Sequence, residues 1–272
     1  MVLLRRFYQD EVPGPALLVL EGALVTVAGV FGAWWLFPDE ASLVSLFLAS
    51  ISTTDSMERI LLWNRRAIQE QGEPPARANL RLTVKFLAIF LGCFVTFGAF
   101  GALLPMSTAQ RLFSHQLGPG VRQLFPALDF GDFGPLVSHN LYVTLFFFAI
   151  ALPFRQGGVM LAISWNASVW ALTFAAMARR WSLSGGPPLG EAVLRVMAAC
   201  TPHMAAEGVA YVTAGLAGVF LSRGVMRHGI DSPVLHSILL SVMWMMLGAL
   251  GLVVLAAAWE ANVAGLLVNL LS

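Results

Sequence analysis

The chain has 272 residues, of which 58% are hydrophobic and 11% are charged, and its formal net charge at pH 7 is +1. So few charged residues cannot cover a water-soluble globule of this length, and the composition therefore indicates a protein whose solvent is lipid. The near-zero net charge, with most Lys and Arg residues in connections, argues against nucleic acid as a partner.

The apolar residues come in unbroken runs of about twenty, the length that an α-helix needs to cross the hydrocarbon of a bilayer. Strands of a membrane β-barrel would instead alternate apolar and polar side chains. We therefore predict an all-α fold, a polytopic membrane bundle of about six spans with an amphipathic helix and a membrane-lying lid. The whole chain, residues 1–272, is predicted to be one membrane domain, located as a multi-pass protein in the cytoplasmic (inner) membrane of a cell.

The first predicted span covers residues 15–37. It begins at a proline, which suits the first helical turn, and it ends near Trp34 and Trp35, aromatic residues that favour a bilayer interface. Residues 41–52 are apolar but too short to cross a bilayer alone. They are expected to be interfacial, re-entrant or buried in the bundle.

Residues 55–71 are predicted to form an amphipathic surface helix. Asp55 and Glu58 have the spacing of a capping box, and apolar residues recur after them at helical intervals. The helix is expected to stop before Pro74 and Pro75, because a residue that precedes a proline is disfavoured in the α conformation.

Four further predicted spans follow a second span at residues 83–104. Residues 106–136 are rich in Phe, Gly and Pro, and they are expected to form a lid that lies on the membrane. Pro153 and the Gly157-Gly158 step predict a tight hairpin between two spans. The predicted bounds of the last four spans are 137–152, 157–177, 192–222 and 234 to the end of the chain.

The connection between the first two predicted spans holds the largest group of basic residues. Its members are Arg59, Arg65, Arg66, Arg77 and Arg81. Because cytoplasmic loops are enriched in Lys and Arg, this connection is expected in the cytoplasm. The lid and both ends of the chain are then expected on the outer side.

Polar side chains inside the predicted spans form the candidate site. An ionisable side chain at the centre of a bilayer costs at least about 2.5 kcal/mol, so each one needs a partner or a polar cavity. The main set is Asn140, Asn166, His203, Glu207 and Glu260, and the secondary candidates are Glu21, His139 and Tyr211. Mutual hydrogen bonding is less costly than separate exposure to lipid, so we predict that the main set converges in the membrane interior.

His203 and Glu207 are four residues apart and share one helix face, next to a proline that removes a backbone donor. Two interpretations stay open at this point: hydrogen bonding that only fixes the bundle, and a functional polar pocket. A metal site is less well supported, because HxxxE is not the HExxH pattern and a third ligand would have to come from a distant span. No metal and no cofactor are predicted.

Four motifs follow one another in the second half of the chain. They are His139-Asn140 at the head of a span, Asn166 in the next span, Thr201-Pro202-His203 with Glu207, and Ala258-Trp259-Glu260-Ala261 in the last span. Their order across residues 137–263 resembles the stage II sporulation protein M family of bacterial and archaeal membrane proteins, with its Asn, Asn, Pro-His-Gly-x-x-Glu and terminal Glu pattern. Met204 departs from that pattern, since the family usually has glycine after the histidine.

The resemblance implies an α-helical membrane protein from a family whose best-known member anchors cell-wall hydrolases of the engulfment machinery. Because the sequence also has no complete catalytic constellation, we expect a membrane scaffold or assembly protein without its own catalysis. The expected partners are the lipid bilayer and membrane or envelope proteins, and a homo-oligomer is left open. The first alternative is a transporter or flippase with a polar intramembrane pocket, and the second is an intramembrane metal-dependent hydrolase.

Overall fold

The computed structural model describes residues 12–118 and 133–264, with side chains up to residue 262. Within these residues every regular element is a helix, which confirms the all-α class. The elements are α1 (Pro15–Leu36), α2 (Ala41–Gln69), α3 (Pro75–Leu103), α4 (Met106–Leu112), α5 (Ser114–Leu117), α6 (Phe133–Leu183), α7 (Leu189–Arg227), α8 (Pro233–Trp259) and a π-helical turn (Glu260–Ala264).

In the part of the chain that the structure describes, five helices are long and apolar enough to cross a bilayer, namely α1, α3, α6, α7 and α8. Much of α8 is apolar and exposed, as expected for a lipid-facing helix, and only 17% of its most apolar window is buried inside the protein. The predicted span at residues 15–37 agrees with α1 to within one residue. The chain therefore has the helices of a multi-pass membrane protein.

The structure differs from the prediction over residues 41–71. A single helix, α2, runs without a break through Asp55, so the short apolar piece and the separate amphipathic helix at residues 55–71 are one element. The hydroxyl of Ser50 donates to the carbonyl of Leu46, and that of Thr54 donates to the carbonyl of Ser50. These side chains are therefore satisfied within a continuous helix, and the polar segment does not need to end it.

Helix α2 runs antiparallel to α1 along the length of that helix. Near the α1 C-terminus, a Cβ atom at Gly29 would lie 2.8 Å from the carbonyl oxygen of Ser45. Near the α1 N-terminus, Ser56 donates a hydrogen bond of 3.0 Å to Glu21. Contacts at both ends mean that α2 spans the same thickness of the bundle as α1.

Helix α3 returns parallel to α1: Lys85 contacts Pro13 before the start of α1, and Phe100 packs on Phe31 further along both helices. The two helices also touch through their backbones. A Cβ atom added at Gly22 would overlap the carbonyl oxygen of Ile89, and one added at Gly92 would overlap the carbonyl oxygen of Val19. Glycine at these positions permits the close approach of two helix backbones, as in other membrane bundles. Helices α1, α2 and α3 therefore form an up-down-up unit.

Helix α6 is a hairpin of two arms, as the sequence predicts from Pro153. Arg155 breaks the helix with φ 51° and ψ −132°. Phe147 in the first arm and Trp170 in the second both pack on Tyr211, at ring-centroid distances of 5.4 and 6.0 Å. In a straight helix Phe147 and Trp170 would be about 35 Å apart. Because both contact the same tyrosine, the second arm folds back along the first.

The bundle has two distinct ends. At one end, which we call the arginine end, Arg223 of α7 bonds to Glu58 of α2 and to Gln156 beside the α6 break. Lys85, in the first half of α3, donates to the carbonyl of Pro13 just before α1 at 2.6 Å, so α1 also begins at this end. The expectation that the start of the first span lies opposite the arginine-rich connection is therefore wrong, because α2 crosses back through the bundle.

The opposite end carries the described part of the predicted lid, residues 106–118. Helices α4 and α5 fold against the bundle there: Ser42 donates to Gln116 at 2.5 Å, and the Phe113 ring packs on Phe97 at a centroid distance of 5.9 Å. Residues 119–132 of the predicted lid lie outside the described residues, and residues 133–136 already belong to α6. The part of the lid that the structure describes is thus helical and packed on the bundle.

Candidate functional site

One face of α7 carries His203, Glu207 and Tyr211 at intervals of four residues. All three are buried, with relative exposures of 7%, 5% and 3%. The interval of four places them one above another on a single stripe of the helix. The sequence therefore builds a column of polar groups that points into the bundle.

Asn140 of α6 joins two members of this column. Its amide nitrogen donates to Oε1 of Glu207, and its Oδ1 accepts a hydrogen bond of 3.0 Å from the hydroxyl of Tyr211. Asn140 is itself only 5% exposed. A hydrogen bond to a carboxylate in a medium of low dielectric is stronger than one in water, so this amide ties α6 to α7.

Aromatic rings pack against the Tyr211 side of the Asn140–Glu207–Tyr211 network. The rings of Phe147 and Trp170 pack on Tyr211 from the two arms of α6. Thr144, one turn after Asn140, donates its hydroxyl at 2.7 Å to the Asn140 carbonyl and is fully buried. The network is therefore held between the α6 arms and α7.

Glu260 approaches this network from the last described turn. It begins the π-helical turn after α8, and this turn contacts α7. Glu207 and Glu260 are therefore carried by elements that touch each other, and the convergence of their carboxyl groups stays a prediction.

His203 stands one turn before Glu207 on the same face. Its Nδ1 atom is buried and has no hydrogen-bond partner in the part of the chain that the structure describes. Pro202 lies in the middle of α7, which continues through it from Leu189 to Arg227. Because a proline has no N–H, the carbonyl of Ala198 loses its usual partner near His203.

The remaining candidates are placed elsewhere or at the edge of the network. Asn166 is half-buried and donates its amide at 3.0 Å to the carbonyl of Ala162 in its own helix. Glu21 accepts from Ser56 between α1 and α2, so it belongs to a separate contact. His139 directly precedes Asn140 in α6 and is partly buried. Of the eight candidate residues, the structure links Asn140, Glu207 and Tyr211 by hydrogen bonds.

A metal centre is not formed by these groups. Among the described residues, no group of three or more His, Cys, Asp or Glu side chains is placed to hold a metal ion. The carboxyl oxygen of Glu207 is already engaged by Asn140. The described groups of the network both accept and donate hydrogen bonds.

Sequence reasoning missed the polar contacts of the arginine end. Arg223 bonds to Glu58 and Gln156, residues 165 and 67 positions away in the chain. The only signal was an arginine inside an apolar helix, which requires a partner in a membrane. A single sequence cannot show which of several acidic residues provides that partner.

Comparisons of the chain with models of protein families, with curated proteins and with solved structures find no match.

Proposed function

We propose that this protein is a membrane scaffold with seven crossing segments, which holds other membrane or envelope proteins without its own catalysis. The seven segments are α1, α2, α3, the two arms of α6, α7 and α8. Helix α2 is counted because it is antiparallel to α1 along its length and, with 29 residues, is about 43 Å long. The resemblance to the stage II sporulation protein M family agrees with this role.

The observation that carries the proposal is the closed hydrogen bonding of Asn140, Glu207 and Tyr211. The amide of Asn140 uses both its donor and its acceptor on α7, and the ring of Phe147 packs on Tyr211. Buried polar networks whose members satisfy one another make a bundle rigid and define one packing of its helices. A rigid bundle is what a scaffold requires.

The surface proposed for partners is the outer face of α4 and α5. Ala109, Leu112 and Gln116 of these helices are buried against the bundle, while Gln110 and Arg111 are exposed. Because loops between spans carry most recognition sites, this exposed face is the natural contact for an envelope protein.

Chemical cross-linking in intact membranes tests this role. Gln110→Glu combined with Arg111→Glu should abolish the cross-linked partners of the wild-type protein. Gln71→Glu combined with Arg66→Glu makes the same change of charge at the arginine end, on residues that are also exposed, and should leave them unchanged. Identical cross-links for the wild type and both variants would remove the scaffold proposal.

A transporter is the second candidate, and one observation favours it. His203 has a buried Nδ1 atom without a partner in the described residues, one helical turn before the buried Glu207. Unpaired ionisable groups inside a membrane protein mark proton or ion pathways. If water reaches this region, a His203→Cys variant that lacks the two native cysteines will react with a charged thiol reagent in intact membranes. No reaction, with an exposed Asp39→Cys control labelled, would contradict transport through this site.

A further inference from the structure

A cavity of about 330 Å³ opens at the arginine end, between α2, α3, α7 and α8, and it is separate from the Asn140–Glu207–Tyr211 network. Its walls come from the last turns of α2 and α7 and from the first turns of α3 and α8. These helices end or begin there, at the level where lipid headgroups meet the protein. The volume falls in the range of small-molecule sites.

The lining of this cavity is strongly cationic. Arg65, Arg223 and Arg227 line it, and none of its lining residues is acidic. Arg223 is paired with Glu58, but neither Arg65 nor Arg227 forms an ion pair within residues 12–118 and 133–264. Arg65 donates from its Nε to Gln69 at 2.8 Å, so the terminal nitrogens of Arg65 and the guanidinium of Arg227 remain available for an anion.

Two residues that line the cavity each carry one buried polar atom without a partner in the described structure. These atoms are the acceptor Oδ1 of Asn64 and the donor Nε of Arg223. Asn64 is only 2% exposed, and its amide nitrogen is already engaged by Oδ1 of Asn79 at 3.1 Å. A buried polar group without a partner is costly, so a ligand that offers both an acceptor and a donor is expected here.

The remaining wall is apolar and continues toward lipid. Leu61, Phe220 and Ile238 line the interior. Val234 lines the cavity and is also 46% exposed, and Leu239 and Leu240, further along α8, are exposed apolar residues too. A ligand in this cavity can therefore keep an acyl chain on α8 while its headgroup lies among the arginines.

We propose that this cavity binds the headgroup of an anionic phospholipid that carries a hydroxyl group, of the phosphatidylglycerol class. The phosphate accepts hydrogen bonds from Arg223 Nε and from the guanidinium groups of Arg65 and Arg227. A headgroup hydroxyl donates to Oδ1 of Asn64. A soluble phosphate ester shares the first contact but makes no use of the apolar wall.

Lipid binding to the purified full-length protein tests the proposal. Native mass spectrometry with phosphatidylglycerol should show one saturable lipid, and Arg65→Gln combined with Arg227→Gln should weaken its binding about 25-fold, about fivefold for each guanidinium lost. Arg66→Gln combined with Arg77→Gln is the matched control. Both of these residues are exposed near the same end and neither lines the cavity, so binding should not change.

A second pair of variants changes the shape of the cavity without changing its charge. Ser241 lines the cavity, and Ser241→Trp should exclude the lipid. Leu240→Trp adds the same bulk to the adjacent position, which faces outward and does not line the cavity, so it should bind like the wild type. Normal binding by Ser241→Trp would overturn the proposed location.

Three comparisons of ligands complete the test. Phosphatidylcholine of the same chain length should bind at least about tenfold more weakly than phosphatidylglycerol, because it is zwitterionic and lacks the hydroxyl. Equal binding of the two lipids would overturn recognition of the headgroup. Glycerol 3-phosphate and inorganic phosphate should not compete at equal concentration, and competition by either would show a site for soluble phosphate instead.

Discussion

The hydroxyl of Tyr211 donates to Oδ1 of Asn140 at 3.0 Å, while the amide nitrogen of the same asparagine donates to Glu207. One amide of α6 therefore connects two side chains that lie one turn apart on α7. Each of the three residues is at most 5% exposed. If Asn140 is replaced by an apolar residue, Glu207 and Tyr211 stay buried but lose their hydrogen-bond partner. The resulting loss of stability can be measured.

Asn140→Leu should lower the free energy of unfolding by about 1 to 3 kcal/mol, because a buried carboxyl and a buried hydroxyl lose their partner. Thermal unfolding in detergent measures the change. Asn262→Leu is the control, since the Asn262 amide is exposed and donates only to the carbonyl of Ala258 in its own helix. Equal stabilities of the two variants would mean that the network does not hold α6 to α7.

The Asn140–Glu207 contact also predicts non-additive effects. Glu207→Leu and Asn140→Leu should each destabilise the protein, and the double variant should be less destabilised than the sum by about 0.5 to 3 kcal/mol. The reason is that the double variant leaves neither of these two groups without its partner. A double-mutant cycle of unfolding midpoints measures this energy, and strict additivity would place the two residues out of contact.

The sequence predicted that polar side chains of the spans turn inward, because polar groups are costly in lipid and the interval of four residues in α7 places His203 and Glu207 on one face. It did not predict which pairs form hydrogen bonds: Asn140 bonds to Glu207, whereas Asn166 bonds within its own helix. The α6 hairpin was predictable, since Pro153 and Gly157 interrupt an apolar run that is too long for one span. The continuity of α2 was not predictable. Ser50 and Thr54 are polar residues typical of helix caps and turns, but here they bond to carbonyls of their own helix.

The backbone contact of α1 with α3 predicts opposite behaviour for two glycines of α3. A Cβ at Gly92 would overlap the backbone of Val19, whereas a Cβ at Gly98 would lie 3.7 Å from the side chain of Ala171. Gly92→Ala should therefore cost about 1 to 3 kcal/mol of stability, since neither backbone can move away. Gly98→Ala should be neutral or stabilising by up to about 1 kcal/mol, through helix propensity. The unfolding midpoints of the two variants measure this difference. Equal midpoints would contradict the close approach of α1 and α3 at Gly92.

The Arg223–Glu58 ion pair should contribute more to stability than the surface pair Arg195–Glu191. Arg223 has a side-chain exposure of 14% and also bonds to Gln156, whereas the Arg195 pair is formed by neighbouring turns of one helix, with exposures of 33% and 50%. Arg223→Gln should cost about 1 to 2 kcal/mol, a value reduced for the partial exposure of Glu58. Arg195→Gln should cost at most about 0.5 kcal/mol. A larger effect at Arg195 would contradict the role of the arginine end in joining α2, α6 and α7.

The antiparallel course of α2 predicts that the residues on its two sides are exposed on opposite faces of the membrane. Asp39 precedes α2 and Glu70 follows it, and both are exposed. In a background without Cys93 and Cys200, Asp39→Cys and Glu70→Cys should react with a membrane-impermeant maleimide from opposite sides, as measured in intact cells and in inverted vesicles. Asp231→Cys, in the connection between α7 and α8, should react from the same side as Glu70→Cys, because both positions lie at the arginine end. If α2 lies on the membrane surface instead, Asp39→Cys and Glu70→Cys will react from the same side. The positive-inside rule further requires that the side of Glu70 is the cytoplasm, since Arg65, Arg66 and Arg77 surround it in the chain.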